Sequence, residues 1–434
     1  MNERKTLKIN QDGHLEIGGV IARDLAKEYG TPLYVMDQQY IEDMCSIYAK
    51  TLQDEYGDGM IAYASKAFSC KEIYRIVNAM GVGADVVSGG EIYTALKAGF
   101  PMEKVCFHGN NKTLQELNLA VKEKVGLIVL DSYSEADILN DICKNAGVFQ
   151  KVLIRVNPGV EAHTHHFIQT ANIDSKFGFS IVSGEAEEMI LHVKSKSNLD
   201  LQGLHCHIGS QIFEQKSFVL AVNKMTDFYK MLKDRHGIEF PVLNLGGGFG
   251  IWYADGDAKK KLNDYAEYIK IIAKELKKAV VEKGLIKPFL ILEPGRSIVG
   301  EAGVTLYTVG RIKTIRDVKN YIAIDGGMFD NPRFALYQAK YTVIPAERAK
   351  ETPALKYTIA GKCCESGDII AEDVYLPNMN EGDLIAVLST GAYNYSMSSN
   401  YNRNLIPPVV MVKDGKSRYA VKPQTYEDII RNDI

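Results

Sequence analysis

From about residue 35 to 295, short apolar, β-branched runs alternate with helix-length amphipathic stretches. The strand candidates are Leu33–Asp37, Ile61–Lys66, Ala84–Ser88, Val105–Gly109, Leu127–Asp131, Val152–Asn157, Leu201–Ile208, Val242–Gly246 and Phe289–Glu293. Between several of them lie segments such as Gln38–Tyr56, Cys70–Met80, Glu91–Ala98 and Tyr265–Lys283, which predict helices. This alternation argues for an α/β fold with a parallel sheet covered by helices. Runs that are apolar on both faces suit buried parallel strands. About eight such units in this length fit a (β/α)8 TIM-like barrel better than an open sheet. One candidate strand is therefore surplus, and the pattern does not say which.

After Gly300 the texture changes. Val304–Val309, Tyr321–Ile324, Tyr357–Ala360 and Leu384–Leu388 read as strands separated by turns, with few helical stretches. Leu7–Ile9 and Leu15–Ile17 look equally β-like. The expected organisation is a barrel over residues 36–298 inserted into a second, mainly β domain of residues 1–35 and 299–434.

Nearly half of the 434 residues are apolar, enough for a large core, and the net charge is −3 with no basic block, so nucleic acid is not an expected partner. Met1–Lys5 is charged at once, unlike a signal peptide, and no apolar run approaches the roughly 20 residues of a membrane span. Seven cysteines at irregular spacing make no disulfide framework, and the adjacent Cys363 and Cys364 suit neither zinc nor an ordinary disulfide. A reduced, cytoplasmic protein is the expectation.

Polar, glycine or basic residues cluster where the strand candidates end: Lys66, Ser88, His108, Asn157, His207, Gly246 and Glu293. A barrel puts its active site at that end. Lys66 is well placed for Schiff-base chemistry with an aldehyde cofactor, although a lysine there also fits a snorkelling surface side chain. Gly246-Gly247-Gly248-Phe249-Gly250 follows an apolar strand, and successive backbone N–H groups of such a run can converge on phosphate; it also fits a tight turn. Glu293, in Glu293-Pro294-Gly295-Arg296, can hydrogen-bond a pyridine nitrogen and strengthen the ring as an electron sink, or simply pair with an arginine. Alternation puts His205 and His207 on one face of a strand, with no carboxylate evident nearby, so no metal site is expected. His163, His165 and His166 are read as part of an active-site segment. Arg333 and Glu365, taken singly, read as surface charges.

Together these motifs resemble the alanine-racemase-like barrel family of pyridoxal-phosphate enzymes, and within it the branch that decarboxylates meso-diaminopimelate. The matching stretches are Tyr63–Ala67, Ala84–Glu91, Ser175–Gly178, His205–Gln211, Gly246–Gly250, Glu293–Arg296, Asp325–Tyr337, Cys364–Asp368 and Gly391–Tyr393. They occur in the family's order and span nearly the whole chain. The resemblance implies that Lys66 holds pyridoxal 5'-phosphate and that Glu293 pairs with its ring nitrogen. It places Ser210, Gly248 and the Pro294-Gly295-Arg296 segment around the phosphate, His207 against the ring, and Tyr393 over the cofactor. Cys364 is implied as the acid that protonates the carbanion. The family's active site is shared between subunits, which implies a homodimer in which Cys364 and Glu365 come from the partner chain.

On this reading Arg296, Arg333 and Tyr337 bind the substrate's distal carboxylate, with Glu365 on its distal ammonium. Ornithine or lysine lacks that carboxylate, so both arginines would be left without it. The implied reaction yields L-lysine and CO2. Alternatives are a decarboxylase of D-ornithine, D-lysine or arginine, and a non-catalytic barrel that carries the cofactor. A racemase is disfavoured by an acid at the ring nitrogen. One departure stands out: the family tends to continue Tyr-Asn-x-Arg-Pro-Arg-Pro, whereas this chain reads Tyr401-Asn402-Arg403-Asn404-Leu405-Ile406-Pro407-Pro408.

Overall fold

Eight parallel strands close into a barrel in the structure, a computed structural model that describes residues 6–160, 176–254 and 264–434. In chain order the strands are Gly59–Ala64, Gly83–Val86, Val105–Phe107, Leu127–Leu130, Gln150–Asn157, Leu199–His205, Val242–Asn244 and Phe289–Leu292. The last pairs back onto the first, Leu290 opposite Gly59 and Leu292 opposite Ile61. The surplus candidate is Leu33–Asp37. It runs antiparallel to Gly303–Ile315 and parallel to Val409–Lys413, outside the barrel. All five of its residues are buried, so its sequence reads the same in either sheet.

Helices alternate with the barrel strands, and several begin with side-chain caps. Ser88 accepts from the Glu91 N–H, Ser132 from that of Glu135, and Thr113 forms a capping box with Glu116. Such caps satisfy backbone donors that a helix start leaves unpaired. Ser88, a strand-end candidate, is therefore a helix cap.

The barrel interior is layered by the two-residue period of its strands. Ala62, Cys106 and Ile291 form a buried apolar cluster, with Met60, Leu127 and Val242 packed against it. Two positions onward from Cys106, Val242 and Ile291 stand His108, Asn244 and Glu293, all buried. The same alternation that fills the barrel thus forces a polar layer at its C-terminal end.

Just after His108 in the chain, Lys112 Nζ donates to the Gly109 and Val129 carbonyls at 2.8 and 2.6 Å and meets Glu135 Oε1 at 2.5 Å. Both side chains are almost fully buried. Burial pushes the Lys112 ammonium down in pKa and the Glu135 carboxyl up, while their pairing opposes both shifts. The pair pins the segment that follows His108.

The chain divides into two compact units: one of Met44–Gly250 with Leu262–Gly295, the other of Met1–Asp43, Ile251–Lys261 and Arg296–Ile434. In the second, Gly303–Ile315 is the central strand, pairing with Leu33–Asp37, Lys319–Ile324 and Leu384–Leu388. Leu7–Ile9, Leu15–Ile17 and Val20–Ile21 form a separate three-stranded sheet. Its Leu7, Leu15 and Ile17 join Val35, Leu306 and Val410 in one core. No helix among the described residues is long and apolar enough to cross a membrane.

Replacing Glu135 by Ala strands the Lys112 charge in the barrel wall. The expected loss is about 3–5 kcal/mol of unfolding free energy, read from urea melts; a loss within error would show the pair to be dispensable.

Candidate active site

Glu293 occupies the centre of the polar layer. Its Oε1 accepts from Asn244 Nδ2 at 2.6 Å and meets His108 Nε2 at 2.8 Å, while His205 Nε2 stands 3.3 Å from Oε2. Burial alone would raise the Glu293 carboxyl, but His108 and His205 hold it well below the usual carboxylate range. It is an anion at neutral pH. Burial lowers the His205 imidazole to about 3, against the pull of Glu293, so that ring is neutral. Asp85 Oδ1 lies 3.8 Å from His108 Nε2, and burial raises its pKa. Arg155 faces Asp131, Glu293 and Asp85 as their cation.

The expectation that the histidines lack a carboxylate neighbour fails here, because Glu293 comes from a strand distant in sequence. Together with His108 and His205 it forms a compact trio whose facing atoms lie within 4.8 Å of one another, His108 being hydrogen-bonded to Glu293. His205 also ends its strand, so His207 lies just beyond it in a loop rather than on the same strand face.

That loop and the glycine run brace each other. Gly247 N–H donates to His207 Nδ1 at 3.4 Å, and Ile212 N–H donates to the Gly248 carbonyl at 2.8 Å. Gly248 has φ +104°, and a Cβ there would stand 2.2 Å from the Gly209 carbonyl oxygen. Only glycine fits. Burial and the Lys66 charge both hold the His207 ring neutral. Ser210 belongs to the same loop.

Lys66 sits in a single 3-10 turn, Ser65–Ala67, directly after the first barrel strand, and its side chain is exposed while Ser65 and Ala67 are buried. Ser65 Oγ fixes the turn, lying 2.9 Å from the Asp85 carbonyl and 2.8 Å from Glu91 Oε2. Glu91 Oε2 also accepts from the Val87 N–H, and burial raises this carboxyl to about 6.

A second group of functional candidates lies within the other unit. Arg296 Nη1 donates to the Tyr253 hydroxyl at 2.5 Å, and its guanidinium carbon lies 4.7 Å from the centre of the Tyr393 ring. Arg333 opens the short helix Arg333–Tyr337 and lies 5.4, 5.7 and 5.8 Å from the ring centres of Tyr253, Tyr393 and Tyr337. It is buried, and its Nε has no hydrogen-bond partner among the described residues. Gly391 brings Tyr393 to this group: a Cβ there would stand 1.9 Å from the Val299 carbonyl at the end of the Arg296–Val299 helix. Cys364 and Glu365 are exposed on a tight turn. Asp368 accepts from the Cys363 N–H at 2.7 Å and Asn402 from the Cys364 N–H at 2.8 Å.

The structure thus gathers Glu293, His207 and Gly248 in one unit, and Arg296, Arg333, Tyr337 and Tyr393 in the other. His163, His165, His166 and Ser175 lie outside the described residues. Sequence reasoning gave no role to Asp85, Glu91, Arg155 and Asn244, and marked His108 only as a strand end. Asn244 shows what signal existed: it is the last residue of its strand, overshadowed by the glycines that follow.

An exposed lysine at one strand end, a buried anion at another, a neutral imidazole and two interlocked loops that exclude a Cβ fit pyridoxal phosphate. The fold and site define a pyridoxal-phosphate enzyme of the barrel class. A family model described as pyridoxal-dependent decarboxylase, pyridoxal binding domain, matches residues 41–300, more than half of the chain. The chain is 48% identical over 429 residues to diaminopimelate decarboxylase of Bacillus subtilis, and 46% identical to that of Halalkalibacterium halodurans; each match covers 99% of this chain and 97% of the relative. A crystal structure of diaminopimelate decarboxylase from m. jannaschii in co-complex with L-lysine superposes with a TM-score of 0.90 at 36% identity, covering 99% of this chain and 98% of that one. The chain belongs to the diaminopimelate decarboxylase family of pyridoxal-dependent decarboxylases.

Gly248→Ala forces the two loops apart. Its affinity for pyridoxal phosphate, measured by titrating stripped protein, is expected to fall by about tenfold or more, given the charged hydrogen bonds such a loop makes to phosphate. Unchanged affinity would remove this loop from the cofactor site.

Proposed function

We propose that this chain decarboxylates meso-2,6-diaminopimelate to L-lysine and CO2, with Lys66 holding the cofactor. The observation that carries the substrate is the pair of arginines among tyrosines. Arg333 is buried, its Nε lacks a partner, and no carboxylate pairs with it among the described residues. Burying a guanidinium without an anion is costly, and a substrate carboxylate bound by its fork would offset that cost. Arg296 and Tyr337 join Arg333 in this role, and Glu365 takes the distal ammonium. Lysine and ornithine offer no distal carboxylate to such a site.

Pyridoxal phosphate, when bound, supplies an electron sink for the pair left by the departing CO2. The chain's own residues do the rest. Lys66 is the amine that the substrate displaces and that later releases the product. Glu293, kept anionic by His108 and His205, holds a proton at the ring nitrogen. His207 would hold the ring, and Ser210, Gly248 and the Pro294-Gly295-Arg296 segment would hold the phosphate. Tyr393 covers the cofactor. Cys364 delivers a proton from Sγ to the substrate carbon that lost CO2.

Cys364 and Glu365 stand exposed on one turn, as groups donated to a second subunit would; the active form on this reading is a homodimer with shared sites. Seven free cysteines suit a reducing, cytoplasmic compartment. The organisation proposed is a cofactor-binding barrel over 36–298 and a β domain of 1–35 and 299–434.

Protein loaded with cofactor is expected to release CO2 from meso-diaminopimelate and far less from D-lysine, D-ornithine or L-arginine. Preference for a substrate without the distal carboxylate would overturn the roles of Arg333 and Glu365. Lys66→Ala should lose the long-wavelength absorbance of protein-bound cofactor, and an unchanged band would dismiss Lys66. Arg333→Met should lower kcat/KM for diaminopimelate by about 10- to 100-fold, the cost of losing a charged fork, with the absorbance band intact.

A further inference from the structure

Glu293 is a shared acceptor. Two donors from different strands meet its Oε1, Asn244 Nδ2 at 2.6 Å and His108 Nε2 at 2.8 Å. Asn244 is fully buried at 0% exposure, and its amide works at both ends. While Nδ2 holds Glu293, Oδ1 accepts from the Gly246 N–H at 2.9 Å. Gly246 opens the glycine run, and its carbonyl in turn accepts from the Glu293 N–H at 2.8 Å. One side chain therefore joins the loop assigned to the phosphate to the acid assigned to the ring nitrogen. These two groups are at opposite ends of the cofactor's recognition.

We propose that Asn244 is a positioning residue for the cofactor, orienting Glu293 and the glycine loop as one unit, with His108 as the second donor on the same carboxylate oxygen. The inference rests on the pyridoxal-phosphate reading of this site. An amide is suited to the task because it donates and accepts at once. A carboxylate carries about four lone-pair sites. Two donors on Oε1 hold the group, while Oε2, with His205 Nε2 at 3.3 Å, keeps lone pairs for the ring nitrogen. The groups facing Glu293 are Asp85 and His108 from the second and third strands, Arg155 from the fifth, and His205 and His207 from the sixth and its loop. Cys106 and Cys206 also lie within its field.

Asn244→Asp makes the role testable because it is nearly isosteric. Its carboxylate still accepts from Gly246 N–H but sets a second acid against Glu293. Two such acids share one proton. While that proton is present, it replaces the amide N–H between them; once it is lost, two anions repel. The measurement is the dissociation constant of pyridoxal phosphate, titrated into stripped protein across pH and expressed as the ratio of variant to parent. For Asn244→Asp this ratio is expected to be near one at the acid end and to rise by about tenfold or more toward alkaline pH. For Asn244→Ala it is expected to be raised at every pH by a constant factor. The absorbance band of bound cofactor should shift with pH in the Asp variant alone. Circular dichroism of each variant guards against misfolding.

A ratio of one at every pH for both variants would overturn the proposal. So would equal, pH-independent losses, which a merely structural asparagine would give. Glu293→Gln separates this from the underlying reading. If Glu293→Gln leaves the cofactor's band and affinity unchanged, the ring-nitrogen assignment itself fails. If it alters them while the Asn244 variants do not, only the positioning role falls.

Discussion

A carboxylate stripped of water must be compensated where it stands, and Glu293 imposes that condition on the top of the barrel. Desolvating an anion costs several kcal/mol even after relaxation. The compensation here is local and comes from three strands: Asn244 and His108 on one oxygen and His205 near the other. None of the three is close to Glu293 in sequence. Barrel closure is what delivers them, since the last strand must pair with the first for the interior layers to form. The charged centre and the closed sheet therefore depend on each other.

The two-residue period converts this into a rule for the site. Cys106, Val242 and Ile291 belong to an apolar layer that closes the barrel, and stepping two residues along each strand reaches His108, Asn244 and Glu293. A strand in a barrel thus carries its packing residue and its chemical residue on one face. Stability and function are stacked rather than competing for the same positions. The buried Lys112–Glu135 pair extends the arrangement outward, fixing the segment after His108 by contacts to two carbonyls and one carboxylate.

Much of this was legible in the sequence. Alternating apolar runs and helical stretches indicated eight parallel units, and strand-end polar residues pointed to Lys66, His108 and Glu293. Leu33–Asp37 was not separable from the barrel strands, because it too is buried on both faces. The partners of Glu293 were illegible for a related reason. Hydrogen bonds between residues 49 and 185 positions apart leave no periodic trace. The position of Arg333 was hidden in another way: as one arginine in a turn-rich segment it reads as a surface charge, and only the surrounding Tyr253, Tyr337 and Tyr393 rings show that it is buried.

Glu293 and Arg333 follow opposite strategies for charge. Glu293 already holds two of the protein's own donors on Oε1, so its charge is compensated before any ligand arrives. Preorganisation of this kind costs no rearrangement when a ligand binds. Arg333 is held among aromatic rings, whose faces accommodate a cation without satisfying its Nε–H. Its fork thus retains unmet hydrogen-bonding capacity, and a ligand carboxylate gains most where that capacity is left. On the proposed reading, the permanent charge serves the cofactor's side of the chemistry and the unsatisfied one serves substrate selection.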